Sequence, residues 1–291
     1  MHKYLESIGF RRIKKRSEMD HLISNTVLHH DQKNVFRDED GRIIGEFSRD
    51  YAPDMGMCVC GEFDGDGNFH PDYSFPYLRG NAITSCEDVT LERHADKHSF
   101  AGAVDDPRVG VTIIFYLINM GEIMCRTGMP GPDDFFHAVK ITGLAREGKI
   151  LLPAIKNEWW EKEERENLKE HIRLVTAAKD GDEDAIEDLT MEDMDAYTLL
   201  QQRIENEDIF SIVDSNFMPY GIECDQYAIV GTIQDVQKVK NDMSDEEVWK
   251  MEVLVCDMIF DVCINSKTLI GEPAVGRRFK GQVWLQGEVC L

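Results

Sequence analysis

The longest nearly uncharged apolar run in the chain lies within residues 105–126. Its apolar side chains occupy almost every direction around a helical axis, which is typical of a helix that is buried on most faces. Asp106 can cap the first turn and Pro107 suits the first helical position, although several β-branched residues favour a strand instead. We predict a buried helix over 107–125. Its uninterrupted apolar character lasts about a dozen residues, whereas a membrane span needs roughly 20.

The N-terminal part of the chain combines a helical pattern with short β-like runs. Residues 3–30 carry apolar side chains at helical spacing, with a break near Gly9. Alternating runs separated by turn residues then predict hairpins over 35–47 and 55–78 and a further strand at 89–94. The first domain is therefore predicted to be a mainly antiparallel sheet packed on the buried helix.

The middle of the chain is predicted to return to the first sheet and then to form helices. Two strands, over 135–145 and 149–153, are predicted on either side of a turn at 146–148. The segment 157–221 is predicted to be an acidic helical connector, because residues of opposite charge recur four positions apart beside an apolar stripe. Residues 157–214 contain 19 acidic and 6 basic residues, a net charge of −13.

The C-terminal segment 222–291 returns to a β pattern, with four or five apolar runs separated by polar breaks. Long first strands and interior glycines suit a small closed barrel of the OB type. The glycines placed for bends are Gly231, Gly281 and Gly287. The predicted fold class is α+β, with an N-terminal domain over 1–156 and an OB-like barrel over 222–291 joined by the connector 157–221.

Composition and charge narrow the functional classes. The chain has 291 residues and a formal net charge of −23, and a field of that sign repels a phosphate backbone. Its eight cysteines lie in apolar stretches without a CxxC pair, unlike a disulfide framework or a zinc ribbon. Cys58 and Cys60 share one face of a predicted strand and need ligands from elsewhere to enclose a metal. The N-terminus lacks a signal-peptide pattern, so we expect a cytoplasmic protein.

The densest polar patch lies beside the start of the predicted helix. His94 and His98 are four residues apart, which places two imidazoles on one helix face, but Ala95 stands where an HExxH motif has its glutamate. One alternative is a metal-dependent hydrolase in which Glu92 and Asp96 join the two histidines. A second is an anion or small-ligand pocket at the helix N-terminus. A salt-bridged structural corner is favoured over both. The candidate pocket consists of Arg79, Glu92, Arg93, His94, Asp96, His98, Asp105, Asp106 and Arg108.

Basic residues cluster at two further places. Arg277, Arg278 and Lys280 lie beside Trp284, a basic and aromatic set that could bind single-stranded nucleic acid on an OB-type barrel. The net charge of −23 argues against nucleic acid, because a few cations release few counterions. The cluster within 11–16 is interpreted as a solvated face, with a phosphate or acidic-partner site as the alternative. No GxSxG, Walker or GxGxxG motif is present.

Five long segments resemble a known family: HKYLESIGF, ERHADKHSFAG, DDPRVGVTIIFYLIN, DAYTLLQQRIENEDIFSIVDSNFMPYGIECDQY and GEPAVGRRFKGQVWLQG. Over essentially its whole length the chain is similar to an uncharacterised family, a domain of unknown function, from anaerobic Gram-positive bacteria of the clostridial class. The segments contain no catalytic signature. The resemblance implies a bacterial cytoplasmic protein and carries no activity over to these positions.

The lack of catalytic motifs and the modular layout favour a non-catalytic binding or regulatory module. In this interpretation the barrel presents a surface to an unidentified protein partner or a small ligand. No cofactor, metal or membrane association is expected, and nucleic acid is a secondary alternative. The sequence leaves the oligomeric state open.

Overall fold

The computed structural model describes residues 2–38, 40–93, 99–128, 136–153 and 215–291. More than half of them lie in strands, and the helical elements are a 3-10 turn at Leu5–Ile8, α1 (Arg16–Leu28) and α2 (Met120–Arg126). None of the helices in these ranges has the length and apolar character needed to span a bilayer. The predictions for 94–98 and for the connector up to 214 lie outside the described residues.

The described part of the chain contains fourteen strands. In chain order they are β1 (Gln32–Arg37), β2 (Ile43–Ala52), β3 (Met55–Phe63), β4 (Phe69–Leu78), β5 (Val89–Arg93), β6 (Phe100–Asp105), β7 (Thr112–Leu117), β8 (Val139–Leu151), β9 (Asn216–Pro219), β10 (Gln226–Lys240), β11 (Glu247–Val255), β12 (Met258–Asn265), β13 (Leu269–Ile270) and β14 (Arg278–Val289). The protein is mostly β, so the α part of the predicted α+β class rests on few residues.

The first four strands of the chain form an antiparallel sheet in the order β1-β2-β3-β4. Its two hairpins are those that the alternating pattern predicts over 35–47 and 55–78. The predicted strand at 89–94 is also confirmed, as β5, but it joins the other sheet. Alternation with one buried face identifies such strands because successive side chains point to opposite sides.

The predicted buried helix over 107–125 is wrong. Residues 107–110 form a turn, β7 follows, and only α2 at the end is helical. β7 lies between β6 and β14, and each of its faces packs on apolar side chains. Phe115 belongs to the barrel core, while Tyr116 packs on the core beneath the four-stranded sheet. A strand covered on both faces is as uniformly apolar as a buried helix, and here the β-branched residues indicate the correct state.

Five strands close into a barrel in the ring order β8-β12-β11-β10-β14, with β14 pairing back to β8. β10, β11 and β12 are consecutive antiparallel neighbours and β14 lies beside β10, which is a Greek-key order. Cys256 and Asp257, both at positive φ, make the tight turn between β11 and β12. The prediction of a closed barrel with strands from 222–291 is confirmed.

The barrel requires a strand from far earlier in the chain. β8 pairs in parallel with β12 and antiparallel with β14, so residues 222–291 do not close the ring by themselves. The predicted turn at 146–148 is wrong, because Gly148 continues the strand and pairs with both β13 and β14. The division into domains remains a prediction, but the barrel draws strands from both sides of the predicted connector.

Two apolar cores hold these sheets together. One fills the barrel and continues under β5, β6 and β7. The other lies between the four-stranded sheet, the N-terminal segment and the barrel, and it includes Tyr4 and Trp284. Gln286 links the sheets, since its Nε2 donates to the carbonyl of Pro76 (2.7 Å) and its Oε1 accepts from the amide of Leu78 (3.1 Å).

Candidate functional site

A cleft of about 1300 Å³ lies on the outer face of the barrel, beside the N-terminal segment 3–14. Its floor is formed by β8, β10 and β14. Gln226 and Ala228 of β10 line the cleft, whereas Tyr227 between them belongs to the barrel core. Pockets for drug-sized ligands are about 300–1,000 Å³, so the cleft has room for a larger ligand.

The cleft is strongly basic. Its described lining contains eight lysines and arginines and two glutamates, although the whole chain has a net charge of −23. The cations are Lys3, Arg11, Arg12, Lys14, Arg146, Lys149, Lys267 and Lys280, and the carboxylates are Glu6 and Glu147. Three cations form ion pairs within the protein: Lys3 with Glu223, Arg12 with Glu246 and Arg146 with Glu6. Four form no ion pair with another described residue: Arg11, Lys14, Lys149 and Lys267.

Two lysines of the floor lie directly opposite each other. Lys149 of β8 and Lys280 of β14 are register partners in the antiparallel pair, and both side chains are exposed. Like charges at directly opposed positions repel each other. The pairing of β8 with β14 thus places two cations side by side on the floor of the cleft.

The N-terminal segment supplies half of the cations and is held firmly against the barrel. Asn241 is fully buried and donates from Nδ2 to the carbonyl of Ile8 (2.8 Å), while Ser244 Oγ donates to the carbonyl of Gly9 (2.5 Å). Gly9 has a φ of +94°, and a Cβ there would lie 2.8 Å from the Cβ of Asn241. Only glycine permits this close approach, and it fixes the direction in which the chain enters the cleft.

Glu246 anchors the same segment from the barrel side. This carboxylate is buried and accepts hydrogen bonds from the backbone amide of Arg11 (3.2 Å) and from Nδ2 of Asn265 (2.7 Å). Its other oxygen lies 3.4 Å from Nε of Arg12. The basic residues 11–14 are thus positioned beside β8 by contacts with the barrel.

The only aromatic residue in the described lining, Tyr4, is packed for structural support. Its ring stacks on Trp284 at a centroid distance of 5.3 Å, and Trp284 Nε1 donates to Asp225 Oδ2 (2.6 Å). Burial raises the pKa of Tyr4 to about 12. Tyr4 is therefore neutral at physiological pH, and its ring is 5% exposed.

The predicted polar pocket contains a closed structural corner. Asp106 is 2% exposed, and its carboxylate accepts hydrogen bonds from Nε (2.8 Å) and Nη2 (2.5 Å) of Arg108 and from Oγ of Ser85 (2.6 Å). Arg108 also donates to the carbonyls of Thr84 and Asp257. Burial by itself would raise the pKa of Asp106, but the hydrogen bonds from Arg108 and Ser85 outweigh it and lower the pKa. The charges of Asp106 and Arg108 therefore neutralise each other within the fold.

The other members of that pocket have separate environments. Arg79 pairs with Asp50 and lies over the ring of Tyr77, so it belongs to the four-stranded sheet. Asp105 accepts a hydrogen bond from Thr112 Oγ1 (2.5 Å). Glu92 and Arg93 end β5, and three members lie outside the described residues: His94, Asp96 and His98. The hydrolase alternative stays a prediction.

Of the predicted barrel surface, only Lys280 lines the cleft. Arg278 is buried and donates from Nε to the carbonyl of Leu152 (2.8 Å). Trp284 is buried as well, and Arg277 bonds the carbonyl of Glu272. Arg278, Lys280 and Trp284 alternate with core residues and so share the outer face of β14. They do not form a continuous basic and aromatic surface, because Arg278 is buried and Tyr4 covers Trp284.

One comparison with known proteins finds a match. The family described as "Domain of unknown function, E. rectale Gene description (DUF3881)" matches residues 5–287. The chain belongs to this family. The predicted resemblance to an uncharacterised family is thereby confirmed. No curated protein and no solved structure matches the chain. Membership in DUF3881 assigns no activity, so the function has to be inferred from the geometry of the site.

Sequence reasoning missed most of the cleft. Arg146, Lys149 and Lys267 stand singly among other residue types, and Lys3 lies far from all of them in sequence. They meet because β8 closes the barrel beside β14. The only local signal was the basic cluster within 11–16, for which an acidic partner was the alternative interpretation.

Proposed function

We propose that the protein is a binding module whose basic cleft holds an acidic segment of a partner protein. The observation that carries the proposal is the concentration of eight cations against two carboxylates in the described lining of the cleft, on a chain of net charge −23. Clefts lined by one sign of charge focus the electric field and raise the local concentration of the oppositely charged ligand. The surrounding negative surface repels anions that do not fit the cleft.

The barrel architecture supports an extended ligand. Greek-key barrels of the OB type bind chain-like ligands across one face, and we infer that this barrel uses the face of β8, β10 and β14 in the same way. The cleft also offers apolar contacts, because Leu151 and the 67% exposed Ile270 lie along it. An acidic peptide with interspersed apolar residues matches both features.

A polypeptide fits the cleft better than a single-stranded nucleic acid does. Single strands bind by stacking their bases on exposed aromatic side chains. Tyr4, the one aromatic residue in the described lining, is covered by Trp284. A nucleic acid strand extending beyond the cleft would also meet the negatively charged remainder of the surface.

The test is a binding titration with two labelled probes, a peptide of alternating glutamate and leucine and a single-stranded oligonucleotide of similar length. In the variant Lys14→Glu/Lys149→Glu/Lys267→Glu we expect peptide affinity to fall about thirty-fold or more, since each reversal removes an attraction of roughly 0.5–1 kcal/mol. The control Lys33→Glu/Arg37→Glu/Arg126→Glu changes the net charge equally, away from the cleft. It should alter affinity by less than about threefold.

Two results would overturn the proposal. One is equal loss of peptide binding in both triple variants, which would mean that net charge and not the cleft governs affinity. The other is tighter binding of the oligonucleotide than of the peptide with the same dependence on the cleft lysines, which would establish the nucleic-acid alternative.

A further inference from the structure

A second cluster with ligand chemistry lies inside the four-stranded sheet, away from the cleft. Cys58 and Cys60 project from the same face of β3, and their Sγ atoms are 3.8 Å apart. Glu46 of β2 is the register partner of Cys60. Its carboxylate and the two sulfur atoms all lie within 4.8 Å of one another, and all three residues are buried.

The separation of the sulfur atoms suits a tetrahedral metal ion. With Zn–S bonds of about 2.3 Å and a tetrahedral angle, two thiolates of one zinc ion lie about 3.8 Å apart. The register shift between Cys60 and Gly61 in the pairing of β3 with β4 places one extra residue, Asp72, in β4, and such a bulge increases the local twist of the pair. The neighbouring strand supplies the third ligand that the two cysteines lack.

The carboxylate of Glu46 is oriented by donors behind it. Nδ2 of Asn34 donates to Oε1 (3.0 Å), and the backbone amide of Gly121 donates to Oε2 (3.3 Å). A Cβ on Gly121 would lie 2.4 Å from Oε1, so a glycine is needed for this approach. Hydrogen bonds of this kind fix metal-binding carboxylates and strengthen metal binding.

A small cavity of about 90 Å³ adjoins the cluster and gives access to it. Its wall includes Glu46, Cys58, Asn34 and Arg79. A water molecule occupies roughly 30 Å³ of liquid volume, so the cavity can provide a water as the fourth ligand. The three protein ligands together carry one more negative charge than a divalent ion neutralises. The cavity wall also holds the carboxylates of Glu122 and Glu288, together with Arg79, which is paired with Asp50.

We propose that Glu46, Cys58 and Cys60 bind a zinc ion, with a water molecule from the adjoining cavity as the fourth ligand. Binding releases the two thiol protons to solvent. Thiolates and a carboxylate bind the metal only in their deprotonated forms, so affinity should rise with pH.

The test is elemental analysis of tag-free protein, followed by cobalt titration of the chelator-treated protein. We expect one zinc per chain, and a thiolate-to-cobalt charge-transfer band on titration. Cys58→Ser and Cys60→Ser should each weaken cobalt binding about a hundred-fold or more. Cys263→Ser is the matched control, because Cys263 is also a buried free cysteine but lies in the barrel. It should retain the metal and the band.

Three outcomes would overturn the proposal. The first is chelator-treated protein that takes up neither zinc nor cobalt. The second is cobalt binding without the charge-transfer band. The third is a thiol pair oxidised to a disulfide in protein purified under reducing conditions, shown by mass spectrometry. Should either serine variant fail to fold, Glu46→Gln gives an independent measurement: it keeps the hydrogen bond from Asn34, and it should lower metal affinity while leaving the two thiols titratable.

Discussion

The cleft and the Asp106–Arg108 corner both gather charged residues, but they use them in opposite ways. At the corner, every polar atom of the buried carboxylate has a partner within the fold, and Arg108 bonds two carbonyls besides Asp106. In the cleft, four of the eight cations have no ion-pair partner among the described residues. The corner stabilises the protein, whereas the cleft leaves positive charge available to a ligand.

The difference shows that charge density along the sequence is a poor guide to function. The corner lies within the densest polar stretch of the chain, whereas the cleft combines the basic cluster within 11–16 with cations from distant strands. The two regions differ in whether each charge has a partner of opposite charge close to it in the folded structure. A charge that is already paired gains little from a ligand, and one held apart by the fold gains much.

The largest expected effect is on the stability of the corner. Asp106→Ala should lower the free energy of unfolding by about 3 kcal/mol, because it leaves the partly buried guanidinium of Arg108 without its counter-charge. Urea denaturation measures this, and the exposed Asp105→Ala should cost less than about 0.5 kcal/mol. Affinity for the acidic peptide should stay within about twofold. A large loss of affinity would mean that the corner and the cleft are coupled.

Asp106 should also contribute to the loss of stability of the protein at acidic pH. The folded-state pKa of Asp106 is lower than its ordinary value of 3.8. The stabilisation is therefore fully present above pH 3.8, and it is lost as the pH falls from there through the lower folded-state pKa. Unfolding measured across this range should show a steeper loss in the wild type than in Asp106→Asn. Parallel curves would contradict the assignment.

Salt should weaken peptide binding in the cleft more than it weakens the Asp106–Arg108 ion pair, and this effect is of intermediate size. The screening length falls from about 10 Å at 0.1 M to about 3 Å at 1 M salt. We expect peptide affinity for the exposed cleft to fall about tenfold or more across that range. The destabilisation caused by Asp106→Ala should change by less than about 0.5 kcal/mol, because buried pairs are screened much less. Equal salt sensitivity would remove the distinction.

The smallest expected effect concerns the floor of the cleft. Tyr4→Phe removes only the hydroxyl group and leaves the ring stacked on Trp284, so it should lower the free energy of unfolding by less than about 1 kcal/mol. It should change peptide affinity by less than about twofold, since the ring is covered by Trp284. Loss of binding would show instead that the hydroxyl group contacts the ligand.

The sequence predicts the hairpins and four barrel strands because short apolar runs are bounded there by turn residues. It does not predict β7, which is covered on both sides and therefore shows no alternation. It cannot predict the role of β8, since parallel pairing leaves no local turn signal. The cleft escapes prediction for the same reason: Lys149 and Lys280 become neighbours only through ring closure.

The pairing of Thr142 with Asp261 joins positions that are 119 residues apart in the chain (261 − 142). The chain must be synthesised through β12 before β8 meets this partner. Such distant contacts slow folding, and until they form, β8 presents an unpaired edge that invites association with other chains. A truncated product that ends before β14 would retain this open edge, so we expect aggregation from incomplete synthesis and not a smaller stable protein.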